Sequence, residues 1–311
     1  FKWKIKFYNF LPHNNTVILN KNGLLPYTFF ISPYKNKKDK DSKKSKENND
    51  SMISYILANM VINGMTPNIL LSLLSFDMNI DLLDNILIPI DPFFNGYSEK
   101  LKLKNYSDIV SVRIKENYNN KISLKNYIDK HTKTKKYDIK SILFQIIYTL
   151  YNINNKYPNF KHNNLTSDTI YLVNNDKKIK SFTYKFDNNN YTIKFKNNLV
   201  KIGHFDDSYL NYKIKSHTNI IEGRNEYFDL HYFLNTLLIK NKLDLNKIKH
   251  PNKFRKFIND VLPRKYRGSL RNKYYLKKNY IHMTLKKILK HEYFSDMIDK
   301  PTKLSDSIEF N

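Results

Sequence analysis

Apolar and polar positions change period along this chain, and each change predicts a different element. Lys2–Phe10 alternates loosely. Thr16–Asn20 and Tyr27–Ser32 are short apolar stretches separated by the turn signal Lys21-Asn22-Gly23, and all three read as strands. Lys35–Asp50 holds only Lys, Asn, Asp, Ser and Glu, so it reads as a solvated, mobile insertion, with an anion-binding tail as the alternative. Ser51–Asn63 places Met52, Ile53, Ile56, Leu57, Met60 and Val61 at helical spacing, and Thr66-Pro67 stops it. Leu70–Phe76 is strand-like, Met78–Ser107 keeps no consistent period, and Ile109–Ile114 alternates as a strand does.

The second half is different. Leu124–His131 predicts a short helix. Asp138–Tyr157 predicts a long one with an almost all-round apolar surface, the mark of a helix buried in the middle of a domain. Short strands follow at Ile170–Val173, Phe182–Phe186, Tyr191–Phe195 and Leu199–Ile202, with Asp187–Asn190 as a hairpin turn between the middle two. Tyr227–Lys240, Pro251–Leu262 and Thr284–His291 return to helical spacing. Strands first and helices later, with one hairpin between, predict an α+β chain: a small β-rich lobe and then a larger, mainly helical one. No internal repeat is visible.

Composition narrows the function classes. The 311 residues carry 54 Lys+Arg against 28 Asp+Glu, a formal net charge of +26, and 41% are hydrophobic, enough to build a core. No run approaches the roughly 20 apolar residues of a membrane-spanning helix. The absence of cysteine excludes a disulfide framework, a thiolate zinc site and a cysteine nucleophile. The chain starts at Phe1 without a basic-then-apolar leader, which reads as a processed product or a fragment. The charge comes from 48 Lys with only 6 Arg, beside 43 Asn and a single Ala, Ala58. Those are residues of A/T-rich codons, and Arg, the better bidentate phosphate ligand, is the scarce one. Much of the charge therefore reads as composition rather than a selected nucleic-acid surface.

Two stretches carry chemistry. One is Lys161-His162-Asn163-Asn164-Leu165-Thr166-Ser167-Asp168-Thr169-Ile170. The other is Val200-Lys201-Ile202-Gly203-His204-Phe205-Asp206-Asp207. In order, after an apolar helix and flanking short strands, they resemble the catalytic loop and the metal loop of protein kinases. Val112–Tyr127, with Glu116, resembles the hinge of that family. Tyr227–Phe233 resembles its central helix, with Asp229 at the position that holds the catalytic-loop backbone, and Thr284–Phe294 resembles its closing helix. Ile31–Tyr34, Thr66–Ile69, the hairpin between the loops and the Asn-rich composition are similar to divergent kinase-like proteins of large DNA viruses. The resemblance implies a two-lobed kinase-like fold. The N-lobe would span 1–115 with a disordered, basic insertion at 35–50, and the C-lobe 116–311 with a hairpin insertion at 178–198.

The resemblance also assigns site residues, and most of them are altered. Asn164 stands at the place of the general base, and an amide takes up no proton at useful pH. Thr169 and His204 stand at the metal-ligand places, where magnesium prefers carboxylate and carbonyl oxygen. Phe30 stands at the place of the small-lobe lysine. Asp50 is the nearest carboxylate for that lysine's helix partner. The chain has six glycines, and only Gly23 precedes residue 60, so no glycine-rich phosphate loop exists. His162, Leu165, Ile170, Phe205 and Asp229 are framework positions and are kept. Asp168 and Asp206 are possible substitute carboxylates, with a solvated turn as their plainer reading.

Three functional readings follow. The first is a catalytically inactive pseudokinase, a binding, scaffold or regulatory module with a protein partner and no cofactor. The second is an active, atypical serine/threonine kinase that uses shifted carboxylates with ATP and magnesium. The third is a nucleic-acid-associated virion protein that meets a polyanion through the basic stretch with Arg264, Lys265, Arg267 and Arg271. The nine histidines show no metal-binding spacing, and no Gly-x-Ser-x-Gly nucleophile occurs.

Overall fold

The structure is a computed structural model that describes residues 17–19, 27–42, 45–82, 99, 102, 106–118, 121–131, 139–173, 181–194, 199–210, 226–240, 243–268, 283–298 and 307–310. The strand expected at Lys2–Phe10, most of Met78–Ser107 and Arg271 lie outside these residues. The architecture is α+β, with a small sheet first and helices after it, as predicted.

The first sheet has the order β1 (Val17–Leu19), β2 (Tyr27–Pro33), β4 (Ile109–Glu116), β3 (Ser72–Asn79), with every neighbour antiparallel. β4 is central, and Val110 and Val112 of one face are buried. Its other face, Ser111, Arg113 and Lys115, is also buried, because α2 (Lys46–Ile62) lies against it. Alternation identified the strand correctly, but both of its faces are inside.

The stretch expected as a disordered insertion at 35–50 is largely helical. A short helix, α1, covers Lys37–Asp41, and α2 begins at Lys46. Two caps make this possible. The side chain of Asn36 accepts from the Asp39 N–H at 3.1 Å, and that of Ser45 from the Asn48 N–H at 3.1 Å. Each cap satisfies a donor that a helix start leaves open. Composition misled because Asn49 and Asp50 are buried through polar bonds and not through apolar contact.

After β4 the chain runs through β5 (Ile122–Ser123) into α3 (Leu124–His131) and the long α4 (Ile139–Lys156). α4 is buried along most of its length, as its all-round apolar surface predicts. β6 (Ile170–Val173) lies between β5 and β9 (Leu199–Ile202). The hairpin β7 (Ser181–Phe186) and β8 (Asn189–Lys194) turns at Asp187 and Asn188, both at positive φ. A last strand, β10 (Ser307–Phe310), pairs in parallel with β7. α5 (Phe228–Asn235), α6 (Pro251–Val261) and α7 (Leu285–Leu289) complete the helical part. The core centres on Phe144 of α4, whose ring meets Tyr148, Tyr184, Tyr191 and Phe294.

The segment between α2 and β3 ties the sheet to the helical part. The Leu70 N–H donates to Ile202 O at 2.8 Å, and the Ile202 N–H donates to Asn68 O at 2.7 Å. Gln145 of α4 accepts from Asn68 Nδ2 at 2.8 Å and from the Val200 N–H at 2.9 Å. A buried amide satisfied on several sides fixes orientation as well as distance. Gly203 packs against Leu70, whose Cδ2 lies 3.2 Å from where a Cβ would sit.

Because Ser45 starts α2, Ser45→Ala should cost about 1 kcal/mol in urea unfolding. A mobile segment would show no change.

Candidate functional site

The centre of the site is the carboxylate of Asp50 on α2. Its Oδ2 accepts from Arg113 Nη1 at 2.7 Å and from Lys115 Nζ at 2.6 Å. Its Oδ1 accepts from the Phe205 N–H at 2.9 Å. Asp50 is 4% exposed and Lys115 5%. Burial pushes the Asp50 carboxyl up, but the charges of Lys115 and Arg113 outweigh it and hold the group well below the usual carboxylate range. The neighbouring Asn49 donates its amide to the carbonyls of Phe205, Asp206 and Ser208 at 3.2, 2.9 and 2.8 Å. Two adjacent residues of α2 thus hold both the N–H and the C=O groups of the His204–Ser208 loop.

Phe30 lies on β2 opposite Arg113, and the Lys115 ammonium stands 5.6 Å from its ring centroid. β2 carries Phe30 at the place the resemblance gives the small-lobe lysine, and the cations that meet Asp50 come from the neighbouring strand β4. Sequence reasoning placed Asp50 as the helix carboxylate but missed Lys115 and Arg113. Their signal was a pair of cations on one face of an alternating strand.

The catalytic-loop match is built as its framework residues require. Asp229 accepts from the His162 and Asn163 N–H groups at 2.8 and 2.9 Å. The ring of His162 meets that of Phe205 at 5.2 Å, and its Nε2 lies 3.1 Å from Gly203 O. Asn163 has φ 62°, which Asn tolerates better than most residues. Asn164 points its amide at Asp207, with Nδ2 3.5 Å from Oδ2.

The residues at the places where the resemblance puts metal ligands are bonded internally. Thr169 Oγ1 accepts from the Thr166 N–H at 3.0 Å and lies 3.1 Å from both Asn164 O and Thr166 O, as donor. His204, at φ 61°, bonds through Nε2 to the hydroxyl of Tyr171. Burial, then the charge of Lys115, pushes the His204 ring down to about 4, so it is neutral at physiological pH. Asp206 is pushed up to about 6 by burial and by Asp50 and Asp207, with Lys46 opposing. Asp207 pairs with Lys46 at 3.0 Å. Asp168 is 47% exposed and lies 4.0 Å from Lys125. No group of three or more His, Cys, Asp or Glu suited to a metal ion occurs among the described residues. A magnesium ion held by carboxylate and amide oxygen does not fit this donor set.

At the hinge, Glu116 pairs with Lys201 of β9 at 2.8 Å, accepts from the Leu71 N–H at 2.8 Å and accepts from the Tyr118 hydroxyl at 2.8 Å. On β6 nearby, the ring of Tyr171 has the Lys121 ammonium 4.6 Å from its centroid. Tyr171 and Lys121 were not singled out in the sequence, where they look like ordinary strand and loop residues. In the basic stretch, Arg267 donates to Leu262 O at 2.9 Å and to Asn259 Oδ1 at 2.7 Å, which is a structural use of its guanidinium.

No family model matches the chain. It is 26% identical over 215 residues to "Putative serine/threonine-protein kinase R400" of Acanthamoeba polyphaga mimivirus, covering 62% of this chain and 46% of that protein. It is 28% identical over 247 residues to "Uncharacterized protein R402" of the same virus, covering 78% of this chain and 27% of that protein. The chain therefore spans about half the length of the first and about a quarter of the second. Among solved structures, WaaP in complex with acyl carrier protein aligns over 86% of this chain and 80% of its own, at 10% identity and a TM-score of 0.42. The kinase domain of PF14_0431 aligns over 94% and 86%, at 13% identity and a TM-score of 0.36. The chain is thus similar to one putative serine/threonine-protein kinase and one uncharacterized protein of a large DNA virus.

Removing the charge of Asp50 tests the centre of the site. Asp50→Asn should cost roughly 3–5 kcal/mol in urea unfolding, because two buried cations lose their counterion. Lys115→Met should cost clearly less, since Arg113 keeps its partner. A pH series tests His204. Its folded value is depressed from 6.5 to about 4, so acid protonates the unfolded chain first and stability is lost as pH falls through that window. Asp206 works the other way between about 6 and 3.8, because its folded value is raised. The urea midpoint of His204→Asn should therefore gain on the parent protein as pH drops from 6.5 towards 4. A constant difference would contradict the assignment.

Proposed function

We propose that this kinase-fold chain is a binding or scaffold module that does not transfer phosphate. One observation carries the reading: the His204 ring, at the metal-loop position, is neutral and bonded to the Tyr171 hydroxyl, while Asp50 nearby is spent on Arg113, Lys115 and the Phe205 N–H. Phosphoryl transfer relies on metal ions and positioned charges to neutralise the phosphates. Here the general-base position is an amide, and the Thr169 hydroxyl is turned into its own loop. The framework is kept: Asp229 holds the loop backbone, and Phe205 packs under His162. Keeping the fold while losing charge handling supports selection for shape, and a protein partner is the natural reader of shape.

A second reading, an active serine/threonine kinase, is supported by the printed name of the R400 relative. It would need Asp206 or Asp168 to act in place of the missing ligands. Asp206 lies partly buried within the field of Asp50 and Lys46, which gives it the better position of the two.

The purified chain should release no γ-phosphate from ATP with magnesium, and ATP with magnesium should raise its melting temperature no more than magnesium alone. Magnesium-dependent turnover that survives Lys249→Met but vanishes in Asp206→Asn or Asp168→Asn would sink the proposal and establish the second reading.

A further inference from the structure

Among the described residues, the four-stranded sheet ends at β3, which pairs with β4 alone, in unbroken register from Leu74–Ile114 to Asn79–Ile109. Proteins commonly guard such an edge with Lys, with Pro or by keeping the strand short, because its outer N–H and C=O groups invite another strand. β1, at the other edge, is three residues long. β3 is eight residues long and reads Ser-Leu-Leu-Ser-Phe-Asp-Met-Asn. It carries no Lys, Arg or Pro, in a chain where 54 of 311 residues, about one in six, are Lys or Arg. A bulge between Ser72 and Leu74 affects only its start.

Exposed apolar groups gather at the same place. Seven large apolar side chains stand exposed among the described residues, and six of them are Tyr55 and Ile62 of α2, Leu73, Leu74 and Phe76 of β3, and Leu82 just beyond it. Tyr55 is 70% exposed, Leu73 55% and Leu74 54%. A groove of about 570 Å³ lies between α2 and β3, lined by Met52, Tyr55, Leu73 and Ser75 and by one charged side chain, Asp41. The Ser51 and Ser75 hydroxyls, 3.0 Å apart, join its two walls. The two faces of the edge differ. Leu74, Phe76 and Met78 stand opposite Ile114, Val112 and Val110, on the face away from α2. Ser75 and Asp77 stand opposite Arg113 and Ser111, on the α2 face. Asp77 is exposed and is the one charged residue of β3. On a chain of net charge +26, this edge is therefore apolar on one face and acidic on the other.

A second copy of this chain is a poor occupant, because two bodies of charge +26 repel. We propose that β3 is a docking edge for an extended segment of another protein, in which large apolar residues alternate with Lys or Arg. The segment joins the sheet as a further strand, and the main-chain bonds hold it in register. Successive side chains of a strand point to opposite faces, so the two sets are sorted. The apolar set lies along Leu74, Phe76 and Met78. The cationic set lies over the groove, its alkyl stems across Leu73 and the Tyr55 ring and its charges towards Asp41 and Asp77. This surface goes beyond the non-transfer reading and stands whether or not the chain transfers phosphate.

The test is fluorescence anisotropy of the full chain at physiological salt with three labelled peptides of one length. In the first, Ile and Phe alternate with Lys. The second has Glu for every Lys, and the third is the Lys peptide with Pro at its centre. The Lys peptide should bind. The Glu peptide should bind about tenfold or more weakly, although the net charge of the chain by itself favours it. The Pro peptide should lose at least about as much, because Pro removes a ladder donor. Hydrogen exchange of the parent with the Lys peptide should slow at β3 and stay unchanged in α6. Leu74→Lys, which installs a guard on the edge, and Tyr55→Ser should each weaken binding about tenfold. Ile239→Ser, an exposed apolar position elsewhere, should leave it unchanged. All three side chains are exposed, so each variant should melt with the parent, and the exchange measurement on the parent needs no variant. No binding of the Lys peptide at about 100 μM, tighter binding of the Glu peptide, undiminished binding of the Pro peptide, or protection away from β3 overturns the proposal. Light scattering should show a monomer. A dimer that Leu74→Lys splits would assign the edge to a second copy and overturn it too.

Discussion

The structure depends on burying one carboxylate. Asp50 brings together a helix, a strand and a loop that lie far apart in sequence: α2, β4 through Arg113 and Lys115, and the loop at Phe205. A charge at that depth is tolerable only when paired and hydrogen-bonded, so each partner is needed by the others. Asn49 next to it satisfies the carbonyls of the same loop. The position of α2 on the sheet, the path of the His204–Ser208 loop and the burial of the polar face of β4 all follow from this knot.

The same knot shapes the chemistry of the residues around it. With Asp50 committed to two cations and a backbone N–H, its own charge is not free to balance a metal ion. His204 then turns to Tyr171 and stays neutral, and Glu116 turns to Lys201. Among the described residues, Asp50, Glu116 and Asp207 are each bound to a cation. Phosphoryl transfer places metal ions between the protein and the phosphates, and that is the charge handling this loop has given up.

Much of this was legible in the sequence where a pattern is local. The long buried helix and the strands at Ile170–Val173 and Leu199–Ile202 follow from period and spacing, and the Asp229 anchor from the resemblance of Tyr227–Phe233 to the kinase central helix. The segment 35–50 was not legible, because its order comes from caps and from polar bonds made across 155 to 159 positions of sequence. An Asn-Asp pair in a charged run carries no local sign of burial. Lys115 was hidden for a related reason: its strand alternates, and alternation ordinarily leaves the polar face in water.

The sequence by itself determined which groups were missing. An amide at 164, a hydroxyl at 169 and an imidazole at 204 are facts of residue identity, and no fold restores a carboxylate at 164 or 204 or an amide at 169. Only the tertiary structure decided which remaining charges meet. Pairing depends on distances of a few ångströms between residues remote in the chain, and at such distances inside a protein a charge is either paired or costly. That is why Asp50 found Lys115 and Glu116 found Lys201.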